Sequence, residues 1–423
     1  MMDAITSVQA VQIIDCKGRP CVEVEIRTAS GAVGRGAAPT GSSVGMHEAF
    51  VLRDGSGPYN GLGVRKAIAN VHQVIAPALI GMDVADQAAL DARMNALDGT
   101  PDKHRLGGNA IYSASIAAFR AAADARRIQP YQVLAKGKVK TLPVPCFNVI
   151  NGGKSEGFTQ SFNEFLIVPH GTDDVEEAIE MAIATFQALD GVLRRHLGRK
   201  PQVASSYGYA APSDDPAICL SLMAEAVEAA GYKGRIGFAL DCASSEFYDK
   251  TDGTYLLKGQ RVTADQLIAY ARDLTEHFDM VFIEDLLDEN DWDAWPRAVA
   301  NIPRTIILGD DLTVTRLDLL KRAHDTRACD GFILKPNQVG TITEALEAAA
   351  YAQDNGLIAV PSGRSGGVVE DIVMDFSVGL QVPFQKNGAP RSGERIEKLN
   401  FLIRAKAANP GCRMYDLTPL FRF

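Results

Sequence analysis

The sequence lacks the features of membrane, secreted and disulfide-rich proteins. No segment of about 18 uncharged apolar residues occurs, so a membrane-spanning helix is not expected. The first six residues have no basic stretch leading into an apolar run, which argues against a signal peptide. The seven cysteines include no CxxC pair, so neither a disulfide framework nor a zinc site is predicted. We therefore expect a cytoplasmic protein.

The sequence also has no excess of positive charge, which limits the kinds of partner that the chain is expected to bind. Acidic residues outnumber basic ones by 52 to 43, and the resulting net charge of -9 argues against a nucleic-acid or anionic-membrane surface. The apolar content of 46% is enough for a large core in a folded protein. An anionic ligand would therefore be held by local lysines, arginines or metal ions.

The first third of the chain reads as strands followed by helices. Residues 7–14 and 21–28 have the alternation of strands on either side of a turn. Helical periodicity follows in residues 64–80, 86–97 and 108–126. This order predicts an N-terminal α+β domain over residues 1–138, which ends in a polar, flexible segment.

From residue 139 to 423, short apolar strands alternate with amphipathic helices such as 263–278 and 342–354. Five of these strands end at a charged or polar residue, namely Asp241, Glu284, Asp310, Lys335 and the segment leading to Arg364. The spacings between them, 43, 26, 25 and 29 residues, are those of βα units. The fold class is therefore α/β, with a parallel barrel or a doubly wound sheet. In a barrel these residues would surround one mouth.

Three of these strand ends carry carboxylates. Asp241, Glu284 and Asp310 would repel one another in a poorly solvated mouth unless a cation joined them. Hard oxygen ligands of this kind select magnesium or manganese. The alternative for each carboxylate alone is a solvated loop acid.

Basic residues follow the next strands. Lys335 would lie beside the proposed cation, whose charge would lower its pKa towards that of a working base for removing a proton α to a carboxylate. A lysine that only pairs with the carboxylates is the alternative. Arg364 and Ser365 offer donors that fit a phosphate or carboxylate. The loop 39–45 is rich in small residues and matches neither a P-loop nor a GxGxxG fingerprint, so a turn and a ligand-closing loop both stay open.

Nearly end to end, the chain resembles the enolase superfamily. The matching stretches are residues 15–20, 41–45, 52–54, 147–153, 245–247, 283–285, 309–315, 335–338, 364–366 and 386–390. The resemblance implies an N-terminal α+β capping domain followed by a (β/α)8-type barrel of the enolase kind, and at least a homodimer.

The resemblance also assigns roles to site residues. It implies that Asp241, Glu284 and Asp310 hold a first Mg2+, and that Ser43, with Ser42 beside it in the loop, binds a second one that arrives with substrate. Lys335 would be the base, while Lys386 would support the carboxylate and enediolate. Arg364 with Ser365 would hold the phosphate of a three-carbon acid. Glu164 matches one of two catalytic glutamates of the family.

Four positions depart from the family pattern. Ser206 stands where the family has its other catalytic glutamate, and Ser155 stands where it has an active-site histidine. Gly363 replaces a histidine immediately before the phosphate arginine, and Asn163 replaces a glutamine. In enolase, the acidic network around the missing glutamate protonates the departing hydroxide. A positioned general acid typically raises the rate by roughly 10²- to 10⁴-fold, so the loss of these groups is expected to slow the expulsion of water.

These departures predict a changed reaction. Small residues at 155, 206 and 363 are expected to open space for a second substrate, as in the carboxyphosphonoenolpyruvate synthases of phosphonate-antibiotic pathways. The second substrate would be a nucleotide-activated phosphonate, used with 2-phosphoglycerate or phosphoenolpyruvate. One alternative is an ordinary enolase, a phosphopyruvate hydratase, that recruits Glu156, Glu164 or Lys154 as its acid. A non-catalytic binding or structural protein is the other.

Overall fold

A computed structural model describes residues 2–41, 45–157 and 159–423. The N-terminal elements begin with an antiparallel sheet in the order β1-β2-β3. Its strands are β1 (Ile5–Ile14), β2 (Pro20–Thr28) and β3 (Val33–Ala37). The helices that follow are α1 (Arg65–Asn70), α2 (Ala76–Leu79), α3 (Gln87–Asp98), α4 (Gly108–Ala125) and α5 (Pro130–Leu134). A π-helical turn over Val71–Ile75 joins α1 to α2, so the two form one continuous helix. The predicted order of strands and helices is confirmed.

Helix α4 packs directly on this sheet. Gly34 and Gly36 of β3 face it, and a Cβ atom at either position would collide with the carbonyl oxygens of Ala117 and Ser113. Alanines fill most of the helix surface that is buried there. Glycine on one side and alanine on the other therefore allow the two backbones to approach closely.

An eight-stranded barrel forms the rest of the structure. Its strands are β5 (Val144–Asn151), β6 (Glu164–Pro169), β8 (Ile236–Asp241), β12 (Met280–Glu284), β13 (Ile306–Gly309), β14 (Gly331–Leu334), β15 (Ile358–Pro361) and β16 (Phe384–Lys386). They neighbour one another in this order, and β16 pairs with β5. A bridge between Ser362 and Lys386 closes the ring on the other side.

The smaller strands lie outside this ring. They are β4 (Thr141–Leu142), β7 (Tyr209–Ala210), β9 (Tyr248–Asp249), β10 (Thr254–Leu257), β11 (Gln260–Val262) and β17 (Arg413–Met414). The helices of this part are α6 (Val175–Leu197), α7 (Pro216–Ala229), α8 (Ala264–His277), α9 (Trp295–Asn301), α10 (Leu317–Asp325), α11 (Pro336–Val339), α12 (Ile342–Asp354), α13 (Val373–Gly379) and α14 (Gly393–Ala408).

One barrel strand runs against the others. Strand β6 is antiparallel to both β5 and β8, whereas the remaining pairs in the ring are parallel. The cause is its connection, because residues 152–157 and 159–163 contain no α-helix of the kind that crosses over to a parallel neighbour. The predicted α/β barrel is confirmed, with this strand reversed.

Apolar packing joins the two parts of the chain. Tyr112, Ile116 and Phe119 of α4 belong to the same buried cluster as Phe332 and Leu334 of β14. The N-terminal elements are therefore held against the barrel by a shared core. Among the described residues, no helix is long and apolar enough to cross a membrane.

Candidate active site

The strand ends converge as their sequence register predicts. Glu164 and Asp241 face each other across β6 and β8, and Asp241 and Glu284 do so across β8 and β12. Asp310 and Lys335 directly follow β13 and β14. A cavity of about 80 Å³ opens at this edge. The charged residues that line it are Glu164, Asp241, Asp285, Asp310, Asp311, Lys335, Arg364, Lys386, Arg395 and Lys398.

Lysine side chains lie between the predicted metal ligands. The Nζ atom of Lys386 is 3.0 Å from Asp241 Oδ2 and also contacts Glu284 Oε2. Glu164 Oε2 lies 3.6 Å from the same ammonium. Lys335 pairs with Asp310 Oδ2, whose other oxygen accepts a hydrogen bond of 2.9 Å from Gln338 Nε2.

These contacts decide the protonation of the lysines. Burial acts to lower the pKa of Lys386, but the carboxylates of Asp241 and Glu284 outweigh it and raise that pKa well above its usual value. Burial also acts to lower the pKa of Lys335, but the carboxylate of Asp310 outweighs it and raises this pKa above its usual value. This direction is the opposite of the one expected beside a cation. A divalent ion that shared Asp310 would weaken the pull of this carboxylate on Lys335.

The carboxylates fit a magnesium ion. Glu284 is fully buried, and its Oε1 atom has no hydrogen-bond partner among the described residues. Burial, followed by the charge of Asp241, raises the pKa of Glu284 well above its usual value. A buried carboxylate oxygen without a partner is costly, and a hard cation would satisfy it. Together with Asp241 and Asp310 at the neighbouring strand ends, Glu284 offers the oxygen ligands that Mg2+ prefers.

A second acidic group lies beside them and was missed by the sequence reasoning. Asp285, Asp310 and Asp311 have oxygens within 4.8 Å of one another. Asp285, however, accepts hydrogen bonds of 2.8 and 2.9 Å from the backbone N–H groups of Asp310 and Asp311. Asp285 therefore fixes the turn that presents Asp310. The adjacent acids in the pairs 284–285 and 310–311 were the available signal.

Arg364 reaches the cavity as an ion pair. Its Nη1 and Nη2 atoms donate to Glu48 Oε2 and Oε1 at 2.7 and 3.1 Å, and both side chains are buried. Burial acts to lower the pKa of Arg364, but the carboxylate of Glu48 outweighs it, so this pKa is raised. The same glutamate accepts a 2.9 Å bond from the Gly45 N–H. Glu48, which the sequence reasoning did not select, therefore ties the arginine to the end of the loop 39–45.

The predicted loop residues have mixed outcomes. Ser42 and Ser43 lie outside the described residues. Asn163, Gly363 and Ser365 line the cavity. Ser155 and Ser206 do not lie among its lining residues.

Contacts between the two altered loops explain the places of these serines. Glu156 accepts a 2.8 Å hydrogen bond from the Ser205 N–H, and Arg395 Nη1 donates to the Ser206 carbonyl. Tyr207 OH donates to the Cys16 carbonyl at 2.7 Å. The first bond joins the two loops, and the other two tie the second loop to Arg395 and Cys16.

The three acids suggested for an ordinary enolase differ in position. Lys154 is exposed, and the Glu156 carboxylate is engaged with Ser205. Glu164 lines the cavity and faces Lys386. Among these candidates in the described chain, Glu164 is the one placed to meet a substrate.

Two family models match the chain. The model described as "Enolase, N-terminal domain" matches residues 5–134, and that described as "Enolase, C-terminal TIM barrel domain" matches residues 139–414. A curated protein named Enolase from Methanococcus aeolicus is 41% identical over 401 residues, covering 95% of this chain and 94% of the relative. Another Enolase, from Methanopyrus kandleri, is 40% identical over 407 residues and covers 95% of both chains.

The prediction of a carboxyphosphonoenolpyruvate synthase is wrong. Relatives named enolase match almost the whole chain at about 40% identity and favour a phosphopyruvate hydratase. The transferase, the antibiotic pathway and the nucleotide-activated phosphonate lose their support with it. The space expected at Gly363 is also filled, since the Lys398 Nζ atom lies 2.5 Å from where a Cβ would be.

Proposed function

Because the chain belongs to the enolase family, we propose that it is a phosphopyruvate hydratase, which converts 2-phosphoglycerate to phosphoenolpyruvate and water. The observation that carries this proposal is the convergence of Lys335, Glu164 and Lys386 on one cavity. The dehydration needs a base for the proton on C2, an acid for the hydroxyl on C3, and cations for the carboxylate and phosphate. Residues of each chemical type line the cavity, which supports the proposal.

Asp241, Glu284 and Asp310 would hold Mg2+. When bound, the ion supplies positive charge that stabilises the enediolate form of the substrate carboxylate. Lys386, fixed between Asp241 and Glu284, adds a second positive charge on the same side. The ion pairs keep this ammonium protonated, so Lys386 acts as a cation and not as a base.

Lys335 and Glu164 would move the protons. In its neutral form Lys335 would take the proton from C2, and the electron pair of that C–H bond would become the new double bond to C3. An ion bound at Asp310 favours this neutral form, because it weakens the pull of the carboxylate that otherwise raises the pKa of Lys335. Glu164 would give a proton to the departing hydroxyl, which leaves as water. Glu164 stands at the mouth end of β6 and faces Lys386, so it lies on the wall where the substrate would be held.

Arg364 and Ser365 would bind the phosphate. A guanidinium offers two parallel donors, and here both engage Glu48, so the phosphate would share the arginine with this carboxylate. Glu48 also sets the plane of the guanidinium before substrate arrives.

Replacement of Arg364 by lysine is expected to raise KM for 2-phosphoglycerate by about tenfold, since a hydrogen bond to a charged group contributes about 1.5–3 kcal/mol. Lysine keeps the charge but cannot make the paired contact with Glu48. Steady-state kinetics would measure the effect. R297K, at an exposed arginine outside the cavity, is the control. An unchanged KM in R364K would contradict the assignment.

Two finer points of the proposal rest on the family resemblance, namely a second Mg2+ at Ser43 and a homodimer or larger homo-oligomer. Two others rest on the sequence pattern, namely a domain boundary at residues 138 and 139 and a cytoplasmic location. Sedimentation of the purified protein would test the dimer.

The deciding experiment is an assay of the purified chain with 2-phosphoglycerate and MgCl2, following the ultraviolet absorbance of phosphoenolpyruvate. Turnover that EDTA abolishes and added Mg2+ restores is the expected result. Absence of phosphoenolpyruvate, in a protein that binds Mg2+ by calorimetry, would overturn the proposed function.

A further inference from the structure

Lys398 is a buried lysine that the proposed chemistry does not use. It lies on α14, outside the ring of strands, and its side chain reaches inward until only 4% of the residue is exposed. Arg364 and Ser365 line the same cavity. Lysines are almost never this deeply buried unless they are paired.

No partner in the described part of the chain satisfies its ammonium. Within the described ranges, the Nζ atom of Lys398 makes no hydrogen bond or ion pair. Asp371, which is also buried, lies nearby, since its Oδ2 atom is 3.3 Å and the Lys398 Nζ atom 2.5 Å from the position of a Cβ at Gly363. This Oδ2 atom likewise has no hydrogen-bond partner among those residues. The two charges therefore influence each other without a direct contact. A nearly buried ammonium without a hydrogen-bond acceptor, at the wall of a cavity, points to an anionic ligand.

Gly363 leaves room for this ammonium. A Cβ atom at Gly363 would lie 2.5 Å from Lys398 Nζ and 3.4 Å from its Cε atom. The backbone of Gly363 is not in the left-handed region, so its conformation does not require glycine. The Lys398 ammonium instead occupies the space that a side chain at Gly363 would need, and the end of this flexible side chain would have to shift to admit one. Since Gly363 directly precedes Arg364, the Lys398 ammonium lies beside the backbone that carries the proposed phosphate-binding arginine.

We propose that Lys398 is a further substrate-contacting residue, whose ammonium binds the substrate phosphate together with Arg364 from the space left by Gly363. The proposal deepens the proposed function and rests on it for the identity of the substrate. An ammonium is a compact point charge with three donors, which suits a phosphate oxygen that the planar guanidinium does not reach.

Binding of inorganic phosphate in the presence of MgCl2, measured by calorimetry, tests this contact without requiring turnover. K398M is expected to weaken phosphate binding roughly 10- to 100-fold, the range for a hydrogen bond to a charged group. G363A keeps the lysine but pushes its ammonium away, so it should weaken binding in the same direction. K406M is the matched control, because Lys406 lies on the same helix and pairs with Asp174 away from the cavity.

Kinetics separate phosphate binding from other roles. In K398M and G363A, KM for 2-phosphoglycerate should rise by a factor similar to that for phosphate, with kcat changed less than KM. A fall in kcat with unchanged phosphate affinity would overturn the proposal and indicate proton transfer instead. Unchanged affinity in both variants would overturn it as well.

A structural role through Asp371 gives a different pattern. If Lys398 serves only to balance that acid, D371N and K398M would lower the melting temperature while phosphate affinity stayed the same, which refutes the proposal. If K398M does not fold, G363A decides. A chain that binds phosphate through Lys398 but forms no phosphoenolpyruvate would support this contact and refute only the proposed function.

Discussion

Substitution of Lys335 by methionine is expected to lower kcat for 2-phosphoglycerate dehydration by about 10⁴-fold, the upper end of the effect of a positioned base. Methionine has a similar length and no proton acceptor. KM should change little, because the proposed phosphate and carboxylate contacts come from other residues. Steady-state assays at high enzyme concentration would measure the residual rate.

Proton exchange isolates the step assigned to Lys335. In D2O, the native protein should exchange the C2 proton of 2-phosphoglycerate, which NMR follows, and K335M should not. K321M, at a lysine outside the cavity, serves as control. Exchange at the native rate in K335M would show that another group removes the proton.

The second large effect is expected at Glu164. E164Q should lower kcat by about 10³-fold, since the amide cannot donate the proton that a leaving hydroxide needs. The glutamine keeps the size of the side chain and its place opposite Lys386. Mg2+ binding, measured by calorimetry, should be preserved because the proposed ligands are untouched.

E164Q and K335M differ in one observable. If Glu164 acts after C2 deprotonation, E164Q should still exchange the C2 proton while failing to form phosphoenolpyruvate. E156Q is the matched control, because Glu156 bonds the Ser205 N–H outside the cavity and its loss should leave kcat within a few-fold. A large loss of kcat in E156Q with a mild one in E164Q would reverse the assignment of the acid.

The strand-end residues of the site were predictable from the sequence. Asp241, Glu284 and Asp310 each follow a short apolar strand, and parallel strands of one barrel bring their carboxyl ends to one mouth. Such placement depends on the local pattern and on the repeat length, both of which a sequence displays. The reversed β6 was not predicted, because the loop before it carries no periodic signal.

Contacts between distant elements were not predictable in the same way. Glu48 meets Arg364 from 316 positions away, and Lys398 meets Gly363 from a helix that the repeat pattern did not single out. A charged residue on an amphipathic helix resembles any solvated one until the fold shows which way it points.

The error about the reaction has a physical cause. Because Gly363 replaces the larger histidine of the family pattern, the prediction assumed that the neighbouring side chains stay in place and leave empty space. Protein interiors are close-packed, so a neighbouring side chain tends to occupy such space, as Lys398 does here. When a large side chain is replaced by a small one, the space can therefore be filled by a neighbouring side chain as readily as by a new ligand.

Because β6 is reversed, changes in the chain near the mouth of the barrel can be separated from changes at its far end. A crossover in a βα unit carries the chain from the mouth to the far end, whereas the connection between β5 and β6 starts and ends at the mouth, where Asn151 pairs with Glu164. Substitutions and insertions in this loop therefore alter the surroundings of the substrate without moving any strand at the closed end. The mouth and the far end of the barrel can therefore change independently at this connection.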